Sequence, residues 1–323
     1  MSACDASHRM EEAWERLLGL ERQVRELRQL LLADAWDGDH GVTASEVETA
    51  PTPLSGRPTR FMDWQVTCLG PFRLRCGGRL PAPCSSRRGW GILQYLLVRP
   101  SYAATRDVLI ETFWPGAEPA AGAHSLQMAI HALRRTLRGC GPGGGDEAIL
   151  FRDGQYGLNP ELTIDLDVDR FRAACERGRR LSGTGQVDAA RRAFESALAL
   201  YGGPFLFDSG HDEWAEPQRA ALQELRLGVL GWLSSTYAAR AEWEQAAACC
   251  REILAADPYR EDAIRQLLHC LSETGRLAEV ERTYRLCRER IWQDLQVEPA
   301  PETRHLYHQL TRASLRRSAL TGA

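Results

Sequence analysis

The C-terminal half of the chain repeats a pattern every 34 residues, and no other feature constrains its fold as tightly. In a unit begun at Leu227, Leu233, Tyr237, Ala246 and Pro258 fall at positions 7, 11, 20 and 32. The next unit begins 34 residues on, at Glu261, with Leu267, Gly275, Tyr284 and Cys287 at positions 7, 15, 24 and 27. An earlier unit from Phe171 places Gly178, Ala190, Phe194 and Ala197 at 8, 20, 24 and 27. Small residues at 8, 20 and 27 let two helices approach closely, and large ones at 4, 7, 11 and 24 fill the gaps. One helix pair cannot cover its own apolar face, so such units stack on their neighbours. A stretch at 204–225, PFLFDSGHDEWAEPQRAALQEL, separates the first unit from the second.

Residues 161–310 therefore read as a tetratricopeptide-like domain of paired helices, with a short tail at 311–323. Upstream the periodicity changes. WQVTCLGPFRLRC from Trp64, a Gly77-Gly78 turn and RLPA have the alternation of a small antiparallel sheet. A helix is expected around 87–98, stopped by Pro100, and a second at about 105–113 with Thr105 as its N-cap. The loop WPGAEPAAG at 114–122 leads into AGAHSLQMAIHALRRTLRG at 121–139. After a glycine-rich break, AILFRDGQYGLN places two apolar runs around Asp153-Gly154, a hairpin signal. The expected fold is mainly α with a small β component. Sheet, three helices and hairpin occupy 61–160 in the order of a winged helix-turn-helix.

The N-terminal stretch has its own signature. Met10, Ala13, Leu17, Leu20, Val24, Leu27 and Leu31 are spaced alternately three and four apart, a heptad seam of about three repeats. Residues 1–34 read as an amphipathic coiled-coil helix, with Leu17, Leu20, Val24, Leu27 and Leu31 as the dimerisation seam of a homodimer. The same stripe also suits a helix packed on its own domain. Residues 35–60, with DGDHG, PTP and SGRP, have linker composition.

Composition excludes several chemistries. All 40 basic residues are Arg, so GPGGGD at 141–146 lacks the Lys of a phosphate-binding loop, and no Lys can act as a nucleophile. The ten cysteines form no C-x-x-C pair. Cys68, Cys76 and Cys84 have the wrong spacing for zinc, so no metal and no cofactor is expected. Neither H-E-x-x-H nor G-x-S-x-G occurs, and the adjacency of His211, Asp212 and Glu213 is not a catalytic geometry, so an enzyme is not expected. The charged N-terminus lacks an apolar leader, and no run is long enough to span a membrane, so a cytoplasmic location with free thiols is expected. Residues 61–160 hold 11 Arg against 7 acidic residues, whereas 161–310 hold 19 Arg against 25. A basic middle followed by an acidic half suits an anion-binding domain joined to a protein-binding one.

The helix within 121–139 has two faces. At 100° per residue, Leu126, Ile130, Leu133 and Leu137 form one apolar face. His124, Met128, His131, Ala132 and Arg135 lie opposite, with Gln127 and Arg138 at the edge and Arg134 nearer the core boundary. Glutamine can bond adenine and arginine guanine in the major groove, and arginine also neutralises phosphates. An amphipathic core helix with a solvated face would show the same stripe.

LGPFRL at 69–74, RDVLIETFWP at 106–115, SLQMAIHALRRTLR at 125–138, RDGQYGLN at 152–159, LDVDRF at 166–171 and EWAEPQRAALQELRL at 213–227 carry a family resemblance. Residues 64–310 resemble bacterial regulators of the Streptomyces antibiotic regulatory protein type, in which a winged helix-turn-helix precedes a bacterial transcriptional activator domain. The resemblance implies DNA-binding roles for His124, Gln127, His131, Arg134, Arg135 and Arg138 on the recognition helix. It implies the same for Arg152 and Gln155 on the wing, and for Arg87 and Arg88 at the start of the first helix. It also implies that the loop with Trp114, Glu118 and Pro119 contacts RNA polymerase, although Trp114 equally suits a core position. Ala132, His124 and Gly157 stand where relatives often carry Arg, Asn and Arg, which lightens the charge of the surface.

Two functions follow from these readings. The first is a transcriptional activator that binds double-stranded promoter repeats as a homodimer, contacts RNA polymerase holoenzyme and takes a protein or small-molecule effector on its repeat domain, away from any membrane. The second is a tetratricopeptide-type interaction scaffold whose DNA-binding domain is weakened or lost. Deletion of residues 1–40 is expected to turn a dimer into a monomer by light scattering; an unchanged dimer would assign pairing to the repeat domain.

Overall fold

A computed structural model describes residues 64–209 and 213–321. The heptad seam at Leu17, Leu20, Val24, Leu27 and Leu31 and the linker after it lie outside the described residues. The chain forms two compact units. One contains Leu74–Asp165 with the strand residues that end at Val66; the other contains Thr67–Arg73 and Leu166–Ala323.

The first unit contains β1 (Trp64–Thr67), β2 (Arg73–Cys76), α1 (Arg87–Leu97), β3 (Ala103–Thr105), α2 (Arg106–Phe113), α3 (Pro119–Thr136), β4 (Ile149–Arg152), β5 (Gln155–Leu158) and β6 (Ile164–Leu166), except that the strand-end residues Thr67, Arg73 and Leu166 fall in the other. The strands form two three-stranded sheets, ordered β2-β1-β6 and β3-β5-β4. Thr105 caps α2 by accepting from the Val108 amide at 3.3 Å, and Ser86 caps α1 by accepting from Gly89 at 3.0 Å. These caps satisfy amides that the first helical turn leaves without partners. Trp64 is fully buried, and its indole N–H donates to the Cys140 carbonyl at 2.6 Å. That bond lets a large aromatic sit in the core without an orphaned donor.

The second unit is the stack of helix pairs expected from the period. Its helices are α4 (Asp167–Gly183), α5 (Val187–Leu200), α6 (Glu216–Ala239), α7 (Trp243–Ala256), α8 (Glu261–Glu273), α9 (Leu277–Leu295) and α10 (Pro301–Thr321). Gly178 of α4 lies against Phe194 of α5 so closely that an added Cβ would come within 2.5 Å of the ring. Ala190, Ala197 and Ala246 are fully buried, as small residues at close crossings must be. Helix α6 begins at Glu216, so the second part of the stretch expected to separate the first two units is helix, and its first part, from Pro204 to Leu206, is irregular.

That irregular part pairs with the segment between β1 and β2. Leu69 bridges Phe205 in antiparallel fashion. The Leu206 amide donates to the Cys68 carbonyl at 2.8 Å, and the Gly70 amide to the Pro204 carbonyl at 3.2 Å. Asp167, at the first position of α4, accepts from the Cys68 amide at 2.8 Å and the Leu69 amide at 2.9 Å. Burial pushes the Asp167 carboxyl up, and the amides of Leu69, Cys68 and Val168, with Arg170, pull the other way. LGPFR, residues 69–73, is therefore a structural part of the helical unit, and Leu74 falls in the other.

Among the described residues no helix is long and apolar enough to cross a membrane. The nine described cysteines are free, and all but Cys84 are buried. Burial pushes the Cys175 and Cys249 thiols up to about 12, so neither is a thiolate near neutral pH.

Asp167→Ala leaves two buried amides without an acceptor and is expected to destabilise the helical unit by about 3 kcal/mol. Asp167→Asn retains one acceptor oxygen and is expected to cost about half as much. Urea unfolding followed by tryptophan fluorescence checks the order of the three proteins.

Candidate nucleic-acid interface

The candidate interface centres on α3, and α3 is seated by small residues. An added Cβ on Gly89 of α1 would come within 2.8 Å of the Ala129 carbonyl. One on Gly122 of α3 would come within 2.7 Å of the Ile110 methyl of α2. Both helices therefore approach α3 at positions where a side chain would intrude. Leu126 and Leu133 are fully buried, with Ile130 and Ala129 nearly so. This packing fixes the rotation of α3 about its axis and turns His124, Gln127, Met128, His131, Arg134 and Arg135 to solvent.

Helix α3 starts at Pro119 and ends at Thr136. The expected loop at 114–122 is thus shorter, with Glu118 as the N-cap and Pro119 as the first helical residue. Proline suits that place because its missing N–H would lack a helical partner anyway. Arg138 lies beyond the helix, exposed in the turn that follows. Its place on the helical wheel is not realised.

The arginines of the α3 face differ in what they touch. Arg134 Nε donates to the Ile149 carbonyl of β4 at 3.2 Å, tying the helix to the hairpin. Arg135 Nη2 donates to Ser85 Oγ at 3.0 Å, just before α1. Arg88 lies over the Trp114 ring, 5.0 Å from its centroid, while Arg87 is exposed at the first position of α1. Trp114 is half-buried and also packs edge-on against Phe113, with centroids 6.2 Å apart.

The β4–β5 hairpin turns through Asp153 and Gly154, both at positive φ. Two such residues in succession match a type I′ turn, whose twist suits a two-residue hairpin. Arg152 and Gln155 are paired across this turn and are exposed. The turn is anchored, since the Arg106 amide donates to the Gly154 carbonyl at 3.0 Å and Thr105 pairs with Gln155 through β3. Hairpin and α3 are thus held by separate links to the same unit.

The structure brings Arg134 and Arg135 to α3's exposed face, places Arg152 and Gln155 on the hairpin tip, and leaves Arg138 in a turn. It also adds Ser85, which sequence reasoning passed over because a lone serine in a loop carries no signal. Among the described residues no group of three His, Cys, Asp or Glu gathers to hold a metal ion.

Comparison with known proteins places this architecture. Residues 166–311 match the bacterial transcriptional activator domain, a match that begins where the longer segment of the helical unit begins. The chain is 30% identical over 251 residues to the transcriptional regulatory protein MoaR1 of Mycobacterium tuberculosis, covering 77% of this chain and 79% of that one. It is 26% identical over 253 residues to the regulatory protein DnrI of Streptomyces peucetius, covering 77% and 92%. A solved structure of Mycobacterium tuberculosis EmbR, in complex with a low affinity phosphopeptide, shares the fold with a TM-score of 0.63 at 24% identity. That match covers 78% of this chain and 65% of the EmbR chain. The chain belongs to the Streptomyces antibiotic regulatory protein family of bacterial transcriptional regulators. It is a DNA-binding transcriptional regulator of the activator kind.

Gly89→Val is expected to push α1 off α3, lower stability by about 2 kcal/mol and weaken DNA binding. Thermal melting and gel retardation on the same preparation check the pair of effects.

Proposed function

We propose that this regulator binds repeated promoter sites as a homodimer in the cytoplasm. In this reading α3 enters the major groove, with His124, Gln127 and His131 facing base edges and Arg134, Arg135 and Arg138 available to bases or phosphates. Arg152 and Gln155 at the hairpin tip reach the neighbouring minor groove or its phosphates, and Arg87 and Arg88 lie where the backbone passes α1. The turn with Trp114, Glu118 and Pro119 meets RNA polymerase holoenzyme, and the helical unit takes a protein or small-molecule effector. The protein regulates without a catalytic step, a metal or a cofactor.

The observation that carries this reading is α3 itself. Its core face is filled by Leu126, Ile130 and Leu133, and its polar face is exposed. It is linked through Arg134 to a hairpin whose tip presents Arg152. A helix that is packed on one side and basic on the other, beside a basic hairpin, has the form that inserts into a groove and grips phosphates. Some charge is committed inside the unit: Arg88 lies over Trp114 and Arg134 bonds a carbonyl. A single domain of this kind gains from pairing, because two linked sites bind with combined affinity.

Gel retardation with upstream DNA at two salt concentrations tests the reading. Wild-type binding is expected to fall steeply with salt. Arg135→Ala with Arg138→Ala is expected to lower the slope by about 2, one counterion per lost phosphate contact. A folded dimer that fails to retard DNA at low salt would overturn the proposal in favour of the interaction scaffold.

A further inference from the structure

The exposed face of α3 holds one residue whose presence neither folding nor charge explains. Met128 is 57% exposed, and among the described residues it is the large apolar side chain that α3 leaves in water. The core beneath α3 does not need it, since Leu126, Ile130 and Leu133 already fill that side. It lies near the middle of α3, next to Gln127 and one turn before His131, in the row of residues turned to solvent. The arginines nearby are occupied in part, Arg134 at the Ile149 carbonyl and Arg135 at Ser85. Methionine therefore stands at the centre of the face, where a polar or charged residue would ordinarily keep it wet.

Of the base-edge groups in the major groove, the apolar one is the C5-methyl of thymine; the others are hydrogen-bond donors and acceptors. An unbranched thioether has three rotatable bonds and adapts its shape to an irregular apolar surface. We propose that Met128 is a specificity-determining residue that reads a thymine by packing on its C5-methyl. This rests on α3 being the helix that enters the groove. Met128 carries no charge, so its contribution is to sequence preference and not to the salt-dependent affinity that phosphates supply. It complements Gln127, whose amide is suited to an adenine edge.

Uracil differs from thymine by that methyl alone, which makes the test specific. Duplexes selected by the full-length protein from a randomised pool are resynthesised with each thymine replaced in turn by uracil, and retardation is measured. At one position in each half-site, uracil is expected to weaken wild-type binding about threefold, the magnitude of losing one buried methyl. Met128→Ala is expected to bind the thymine and uracil duplexes equally there, with its salt slope unchanged. Met128→Leu is expected to retain the discrimination. Wild-type protein indifferent to uracil at every position, or Met128→Ala still sensitive at the same position, would overturn the inference. Absence of any retardation by folded wild-type protein would instead overturn the entry of α3 into DNA, and this inference with it.

Discussion

The carboxylate of Asp167 grips the amides of Cys68 and Leu69, and the organisation of the chain depends on that grip. A carboxylate buried among apolar residues is tolerated when its oxygens are fully hydrogen-bonded. Here the amides come from a segment nearly a hundred residues earlier in the chain, and the same segment pairs with the stretch around Phe205. Residues 67–73 thereby become part of the helical unit. In chain order, the whole of Leu74–Asp165 is inserted between two pieces of that unit. The boundary is therefore a pair of crossings, and residues 69–73 of LGPFRL read as a structural element of the repeat domain.

Within the inserted unit, close helix approach does the positioning. Gly89 and Gly122 let α1 and α2 come within reach of α3 without intervening side chains. The remaining polar links act on the interface. Arg134 spends its guanidinium on the hairpin carbonyl and Arg135 reaches Ser85. A surface hydrogen bond of this sort adds little to stability, but it restricts where a long, flexible side chain points. An arginine already aligned gives up less rotamer entropy when it meets a phosphate.

Much of this was legible in the sequence because the signals were periodic or chemically distinctive. The 34-residue repeat identified the helix pairs, and Gly178 against Phe194 is the kind of small-to-large crossing that the repeat implies. Thr105 as a cap and Asp153-Gly154 as a turn are local signals with local causes. What escaped was short or non-local. β3 and β6 have three residues each, too few to show alternation, and both exist because partners elsewhere complete their sheets. Helix α3 begins at Pro119 because proline is tolerated at a first helical position, and it stops before Arg138 because the chain turns at Leu137 to Gly139. The helical wheel, which presumes an unbroken helix, could not show that stop.

The sequence by itself determined the architecture of paired helices, the order of the winged elements and the face of α3 that is buried, since these follow from spacing of apolar residues along one chain. It also determined the absence of lysine, since that is a matter of residue identity. Only the tertiary structure decided which arginines are engaged, that Ser85 meets Arg135, that residues 69–73 belong with the helices, and that Met128 remains in water. Each of these depends on groups far apart in sequence being brought within a few ångströms, and no local pattern encodes such a meeting.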